Sequence, residues 1–218
     1  MDSNRDRRLL FVFRHGETDW NREGRLQGHI DVPLNESGRV QAEALAQRLL
    51  PHCLDAVLSS DLTRALHTGR VVAEAAGVPL IIDAGLRETN VGEAEGLLWA
   101  EAKARFGAEL TERWFAEEDV AFPGGETGLA TRTRALAALR RFAAAHPHRR
   151  IGVSTHGAMV RQLMKHALPP GSLPVKTRNT VLYILFYEPG LDRLIPVEQA
   201  ELGQVSELAS NLMLPELR

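Results

Sequence analysis

The chain has 218 residues, of which 44% are hydrophobic and 25% are charged, values typical of folded globular proteins and far from those of disordered chains. This length suits one large domain. The formal net charge of -2, with Lys and Arg spread along the chain, argues against a basic surface that would bind nucleic acid or an anionic membrane. Because Cys53 is the only cysteine, no intramolecular disulfide can form, and the cytoplasm is the expected location.

The beginning of the chain is polar over residues 1–8, which predicts an N-terminal extension outside the folded core. Residues 9–13 then form a continuous apolar run that is too short for a signal peptide or a membrane span. The run predicts a buried strand that ends at Arg14-His15-Gly16. Similar runs at 55–58, 151–154 and 181–187 predict three further strands.

Apolar residues at helical spacing predict three helices, over 42–49, 62–76 and 129–143. In the second helix, Asp61 is the expected N-cap and Gly77 the expected C-terminal stop. Strands that alternate with helices predict a three-layer α/β/α fold with a mostly parallel central sheet.

The stretch from about residue 97 to residue 126 is rich in aromatic side chains and predicts a helical insertion over the functional site. Its two alternatives are extra core and a lid or side-wall for the substrate. No repeat or linker divides the chain, so residues 9–197 are predicted to form a single domain. The tail, 198–218, has no strong periodicity and no assigned function.

Parallel sheets of this kind bind ligands beyond the carboxyl ends of their strands. His15, Ser59 and His156 each follow the end of a predicted strand. We therefore expect three segments that are distant in sequence to meet at one edge of the sheet.

The segment 14–18, RHGET, resembles the RHG(E/Q)(T/S) signature of the histidine phosphatase and phosphoglycerate mutase superfamily. Further motifs follow in the family's order: Asn21 in ETDWN, Gln27 and Gly28 with Asp31, Pro33 and Leu34, the SSDL segment at 59–62 with Arg64, Ala65 and Thr68, LRE ending at Glu88, and His156 and Gly157 with Arg161. The resemblance covers about residues 9–165. In appearance the chain is most similar to the α-ribazole phosphatases and the related broad-specificity phosphatases.

These residue types suit phosphoryl transfer, whose transition state spreads negative charge over three oxygens and so requires several converging donors. Arg14 and Arg64 offer planar forks of N–H groups that fit phosphate oxygens. His156, if protonated beside the phosphate, and Asn21 would add donors. A histidine such as His15 can itself attack phosphorus when the attacking nitrogen is unprotonated.

The resemblance implies that a backbone carbonyl near Gly16 holds the proton on the other ring nitrogen of His15. It implies that Glu88 gives a proton to the leaving oxygen and later activates water. We expect Arg25 and Arg87 to lie outside direct contact with the phosphate. The remaining matches predict substrate binding by Thr18, Asn21, Gln27, Gly28 and Gly157.

The sequence therefore predicts a histidine acid phosphatase-type phosphohydrolase that needs no metal or other cofactor and hydrolyses a small phosphorylated metabolite through a phosphohistidine on His15. It contains no HExxH motif, paired cysteines or Asp-rich calcium loop. No membrane or nucleic-acid partner is expected, and the oligomeric state stays open, a homodimer included.

Two other functions use or resemble the same residues. A cofactor-dependent phosphoglycerate mutase is the main alternative. The resemblance implies, however, that such mutases carry a longer insertion between the residues that correspond to Glu88 and His156 of this chain. A catalytically silent module that binds a phosphorylated ligand is disfavoured, because a binder needs neither His15 nor Glu88.

Overall fold

The computed structural model describes residues 7–116, 118–169, 172, 175 and 177–197. Its strands are β1 (Arg8–Arg14), β2 (Ala56–Ser59), β3 (Leu80–Ile82), β4 (Arg150–Thr155), β5 (Leu182–Glu188) and β6 (Arg193–Pro196). Its helices are α1 (Asp19–Glu23), α2 (Glu36–Leu49), α3 (Thr63–Ala76), α4 (Trp99–Phe106), α5 (Ala108–Phe115), α6 (Gly128–Ala145) and α7 (Gly157–Ala167). The predicted tail and residues 1–6 of the predicted extension lie outside the described residues.

The strands form one mixed sheet in the order β3-β2-β4-β1-β5-β6. The first four strands of this order are parallel, whereas β5 runs antiparallel to β1 and β6 antiparallel to β5. All four predicted strands are present, and the mostly parallel sheet is confirmed. β3 and β6 are not predicted because these edge strands have only three and four residues, and so short a run, even the wholly apolar one of β3, does not identify a strand.

Helices cover both faces of the sheet, which confirms the three-layer α/β/α architecture. Successive side chains of a strand point to opposite faces. In β1, Leu10 and Val12 pack in a core with side chains of α6 and α7. Leu9, Phe11 and Phe13 pack in a second core with side chains of α2 and α3.

Helix α3 begins later than its sequence suggests. Leu62 occupies the N-cap position and makes no capping hydrogen bond through its side chain, so the prediction of Asp61 as N-cap is wrong. The Asp61 carboxylate instead accepts hydrogen bonds from Nε (2.8 Å) and Nη2 (2.5 Å) of Arg87. The Asp61 side chain thus pairs with a distant arginine and does not cap the helix. Gly77 ends the helix in the left-handed conformation, with φ 67°, as predicted.

The helical insertion is confirmed as α4 and α5, and its aromatic side chains build a small separate core. The Phe122 ring lies 5.3 Å from the rings of both Phe106 and Trp114. Val91 and Ala94 belong to the same cluster, and Leu26 and Leu110 pack against it. Within the described ranges, no helix has the length and apolar character needed to cross a bilayer.

Candidate active site

The ends of β1, β4 and β2 carry the candidate residues to one edge of the sheet. These neighbouring strands end at the same level, because Arg14 pairs with Thr155 in the parallel register. His15 and His156 follow β1 and β4, whereas Ser59, expected to follow its strand, is the last residue of β2 and Ser60 comes after it. The rings of the two histidines have centroids 5.2 Å apart. The expectation that separated segments meet here is confirmed.

A pocket of about 140 Å³ opens at this edge. The predicted site residues that line it are Arg14, His15, Asn21, Gln27, Glu88 and Gly157. The other four predicted site residues are buried and support the lining from behind: Thr18, Gly28, Arg64 and His156. The structure thus brings all the predicted site residues to one place, in two layers.

His15 is buried and carries a single ring proton. Burial, followed by the charges of Arg14 and Arg64, lowers the pKa of His15 well below its ordinary value, against the opposing effect of its hydrogen bond to Gly16. Nδ1 lies 2.6 Å from the carbonyl oxygen of Gly16, the contact that the resemblance implies. Because a carbonyl only accepts, the proton belongs on Nδ1 and the lone pair on Nε2.

The loop after β1 packs directly on the start of α2. A Cβ on Gly16 would lie 2.2 Å from the carbonyl oxygen of Gly38, and a Cβ on Gly38 would lie 2.1 Å from that of Glu17. Asn35 caps the helix through its Oδ1, which accepts from the Gly38 amide at 2.9 Å. Two residues without side chains therefore allow the helix to fix the position of the His15 loop.

Arg14 brings a nearly buried cation to the pocket. Burial lowers the pKa of Arg14 to about 10, with Glu88 opposing this effect and Arg161 and Arg64 adding to it. The guanidinium therefore stays charged at neutral pH. Nη1 donates to the carbonyl of Thr177 at 2.5 Å, and Nε has no partner among the described residues. Of its five N–H groups, most have no acceptor within the described ranges and are suited to bind an anion.

Arg64 lies fully buried in the first turn of α3, as predicted. Burial lowers its pKa, and Glu88 is the largest opposing influence. Nη2 donates to the carbonyl of Gly28 at 2.7 Å and Nη1 to that of Ile30 at 2.9 Å. Arg64 therefore also ties the 28–30 segment to the site.

His156 is fully buried behind the pocket lining. Burial, then the charge of Arg64, lowers the pKa of His156 well below its ordinary value, so the ring is neutral in this structure. Nε2 lies 2.9 Å from the hydroxyl of Ser60, and Nδ1 is buried with no partner in the described part of the chain. If the Ser60 hydroxyl donates to Nε2, the ring proton lies on Nδ1 and is available as a donor.

Glu88 lies in the irregular segment after Leu86, and its carboxylate contacts the N-terminus of α7. Its carboxylate accepts backbone N–H groups from Thr89 (2.9 Å), Ala158 (3.0 Å) and Met159 (3.1 Å). The last two belong to the first turn of α7, where unpaired N–H groups bind anionic oxygens. The carboxyl is thereby fixed at the pocket wall.

A polar network joins three of the predicted binding residues. Thr18 caps α1 by accepting from the Asn21 amide at 3.2 Å. Oε1 of Gln27 accepts from the Thr18 hydroxyl (3.2 Å) and from Nδ2 of Asn21 (3.4 Å), and the buried Nε2 of Gln27 has no described partner. Thr18 acts as a support, whereas Asn21 and Gln27 reach the pocket.

Comparison with known proteins identifies the family. The model of the histidine phosphatase superfamily (branch 1) matches residues 10–195, which include the whole site. The chain belongs to the histidine phosphatase superfamily. It is 38% identical over 175 residues to phosphoglycerate mutase-like protein 4 of Arabidopsis thaliana, covering 78% of this chain and 76% of that protein.

Two further comparisons involve phosphatases. A metal-independent phosphoserine phosphatase of Arabidopsis thaliana is 37% identical over 157 residues, covering 71% of this chain and 66% of that protein. The solved structure of a mycobacterial glucosyl-3-phosphoglycerate phosphatase in complex with VO3 has a TM-score of 0.74 at 30% identity, covering 86% of this chain and 95% of that one. The relatives of this chain thus include both phosphatases and a phosphoglycerate mutase-like protein.

Some residues of this histidine phosphatase site carry no motif that would reveal them. Nδ2 of Asn179 donates to the carbonyl of His15 (3.1 Å) and to Oδ1 of Asn21 (3.0 Å). Thr177 and Trp114 line the pocket. The position of 177–179 just before a predicted strand is the single signal that could have marked that segment.

The two arginines expected outside phosphate contact differ from each other. Arg25 lines the pocket, although Nε donates to Glu23 (2.6 Å) and Nη1 to the carbonyl of Gly96 (2.9 Å). Arg87 is absent from the lining and pairs with Asp61. Of the two, Arg25 is close enough to the substrate pocket to influence its charge.

Proposed function

We propose that this protein is a metal-independent phosphomonoesterase that hydrolyses a small phosphorylated metabolite through a phosphohistidine on His15. The observation that carries the proposal is the lone pair of Nε2 on a neutral, buried His15 beside the buried guanidinium of Arg64 and the partly buried guanidinium of Arg14. A neutral imidazole is nucleophilic. The neighbouring cations attract a phosphate dianion and stabilise the negative charge of its oxygens. The single cysteine supports a cytoplasmic location.

In the first half-reaction, Arg14 and Arg64 bind the phosphate oxygens, and Nδ1 of His156 donates a further hydrogen bond. Nε2 of His15 forms a bond to phosphorus while the bond from phosphorus to the ester oxygen breaks. The leaving oxygen takes a proton from the Glu88 carboxyl and departs as an alcohol. The positive charge that develops on the His15 ring is stabilised by the Gly16 carbonyl at Nδ1.

In the second half-reaction, the Glu88 carboxylate accepts a proton from a water molecule that attacks the phosphohistidine. The N–P bond breaks, its electron pair returns to Nε2, and inorganic phosphate leaves. Glu88 ends protonated, as it began. The guanidinium groups supply the charge stabilisation that a metal ion supplies in other phosphatases.

The covalent step is tested by rapid-quench labelling in the presence of EDTA. Wild-type protein is mixed with ³²P-labelled substrate, stopped in base to preserve phosphohistidine, and digested to locate the label. We expect label on His15 at early times, no label in His15→Ala, and unchanged turnover with EDTA. Normal turnover without label on His15, or complete loss of activity with EDTA that zinc restores, contradicts the proposal.

A mutase would use the same residues but return the phosphoryl group to the substrate. We expect hydrolysis to dominate, because a mutase must shield its phosphohistidine from water and the interval from Glu88 to His156 is occupied by the insertion and α6. With 3-phosphoglycerate and catalytic bisphosphoglycerate, free phosphate should form faster than 2-phosphoglycerate. Isomerisation about tenfold faster than phosphate release would identify a mutase.

A further inference from the structure

Arg134, a residue of α6 that belongs to none of the motifs described above, binds the backbone of the segment that carries Glu88. Nη1 donates to the carbonyls of Gly85 (2.9 Å) and Arg87 (2.6 Å), and Nη2 donates to that of Glu88 (2.7 Å). The Glu126 carboxylate accepts the remaining hydrogen bonds, from Nε (3.1 Å) and Nη2 (2.5 Å). All five N–H groups of the guanidinium therefore have acceptors.

The segment from 85 to 90 lacks regular strand partners that would fix it otherwise. After the short 3-10 helix Ala84–Leu86, the chain is irregular until Gly92. Glu126 reinforces the same segment, because its Oε1 accepts the Asn90 amide at 2.8 Å and its own amide donates to the Asn90 carbonyl at 2.9 Å. His29 adds a second donor to the Glu88 carbonyl, from Nε2 at 2.8 Å.

Glu88 is consequently held both at its backbone carbonyl and at its side-chain carboxylate. Its backbone is bound by Arg134 of α6, and its carboxylate is bound by the Ala158 and Met159 amides of α7. Arg134 itself is absent from the pocket lining, and protein acceptors take all of its guanidinium N–H groups, so none is left to bind the substrate. Its side chain and that of Glu126 are largely buried, with 24% and 20% exposed.

We infer that Arg134, together with Glu126, is the positioning residue for Glu88 and sets the distance from the carboxyl to the leaving oxygen. The inference rests on the proposed function, in which Glu88 is the proton donor. Proton transfer requires hydrogen-bond distance, and a displacement of about 1 Å can cost on the order of 10²-fold in rate. Only a planar fork with five donors satisfies this set of carbonyls and carboxylate oxygens, so lysine is a poor replacement.

The test compares two substrates by kcat/KM, which reports the steps up to cleavage of the ester bond and excludes the later attack of water. An alkyl phosphate needs a proton on its leaving oxygen, whereas p-nitrophenyl phosphate scarcely does. For Arg134→Lys we expect a loss of about 10- to 100-fold on the alkyl phosphate and less than about threefold on p-nitrophenyl phosphate. Arg140→Lys is the matched control, because Arg140 lies on the same helix but pairs with Asp192 at the surface.

A double variant separates positioning from a general effect on the fold. In the Glu88→Gln background, Arg134→Lys should cause little further loss on the alkyl phosphate, because the two residues act through one step. Glu126→Gln keeps the arginine and its carbonyl contacts, so it should show a smaller loss with the same substrate preference. Thermal unfolding of each variant establishes that it is folded.

The contrary results are distinct. Equal losses on both substrates, a full multiplicative loss in the Glu88→Gln background, or wild-type kinetics in a folded Arg134→Lys protein would overturn the inference. If Glu88→Gln itself shows no dependence on the leaving group, the proposed role of Glu88 fails instead. Should Arg134→Lys not fold, the same comparison in Glu126→Gln decides the question.

Discussion

At the scale of single residues, the site keeps two histidines neutral by burying them beside cations. Burial and the charges of Arg14 and Arg64 lower the pKa values of both His15 and His156. For His15 this keeps the nucleophilic lone pair available at pH values where a solvent-exposed histidine would be protonated. The same arrangement has a cost for stability in acid.

We predict that the free energy of unfolding falls as the pH drops below about 6.5, the ordinary pKa of histidine. Because the pKa values of His15 and His156 are lower in the folded state, below this pH the two residues bind protons in the unfolded chain but not in the folded protein. Above this pH they do not make the unfolding free energy depend on pH. Each should contribute up to about 1.4 kcal/mol per pH unit in the acid range.

Urea unfolding at pH values from 7.5 to 5.5 measures this slope without protonating most carboxylates. In a His156→Asn variant the unfolding free energy should depend less steeply on pH, by the equivalent of about one proton fewer taken up on unfolding at the acid end of this range. A variant with the wild-type slope would show that His156 takes up its proton equally in both states, contrary to the expected effect of burial.

At the scale of elements, the contact between Gly16 and Gly38 makes α2 the support of the His15 loop. We predict that Gly38→Ala lowers stability by about 1–3 kcal/mol, because an added methyl group meets the Glu17 carbonyl. The displaced loop should also lower kcat by about 10-fold or more. Gly190→Ala is the control, because a Cβ there meets nothing within 4 Å.

Denaturant unfolding and steady-state kinetics of both variants check this prediction. A Gly38→Ala protein as stable and as active as Gly190→Ala would mean that the helix moves freely to accommodate the methyl group. In that case α2 would not determine the position of His15.

Elements that form an apolar run or carry a motif could be predicted from the sequence, and those fixed by long-range contacts could not. β1 is buried on both faces and has a continuous apolar stretch of five residues, whereas the apolar run of β3 is only three residues long and is too short to identify a strand. His15 and Glu88 belong to motifs. Arg134 has the sequence appearance of an ordinary helix arginine, because the backbone carbonyls that it binds lie more than 40 positions earlier in the chain.

At the scale of the whole molecule, a chain of net charge -2 contains a strongly cationic pocket. Arg14, Arg25 and Arg161 line it, with Glu88 as the acidic member of the lining. Such a concentration of charge attracts anionic substrates, and salt screens this attraction. We predict that kcat/KM for a phosphomonoester decreases several-fold between about 20 mM and 500 mM NaCl.

Arg25→Gln should weaken the salt dependence and raise KM, most of all for a substrate that carries a carboxylate beside its phosphate. Arg22→Gln serves as the control, since Arg22 is exposed, pairs with Asp19 and does not line the pocket. Identical salt dependence of kcat/KM in wild type and Arg25→Gln would show that Arg25 does not contribute to the electrostatic attraction of the substrate.

The strand order also bears on how the chain reaches its folded state during synthesis. β1, which leads directly into His15, lies between β4 and β5, and both of these strands come from the last third of the chain. Of the strands in this sheet, β1 therefore leaves the ribosome first, and it cannot pair with β4 and β5 until most of this sequence has been synthesised. Pairings so distant in sequence slow folding and leave apolar surface exposed for longer. A nascent chain released after α6 would contain His15 and Glu88, but it would lack the strands on either side of β1.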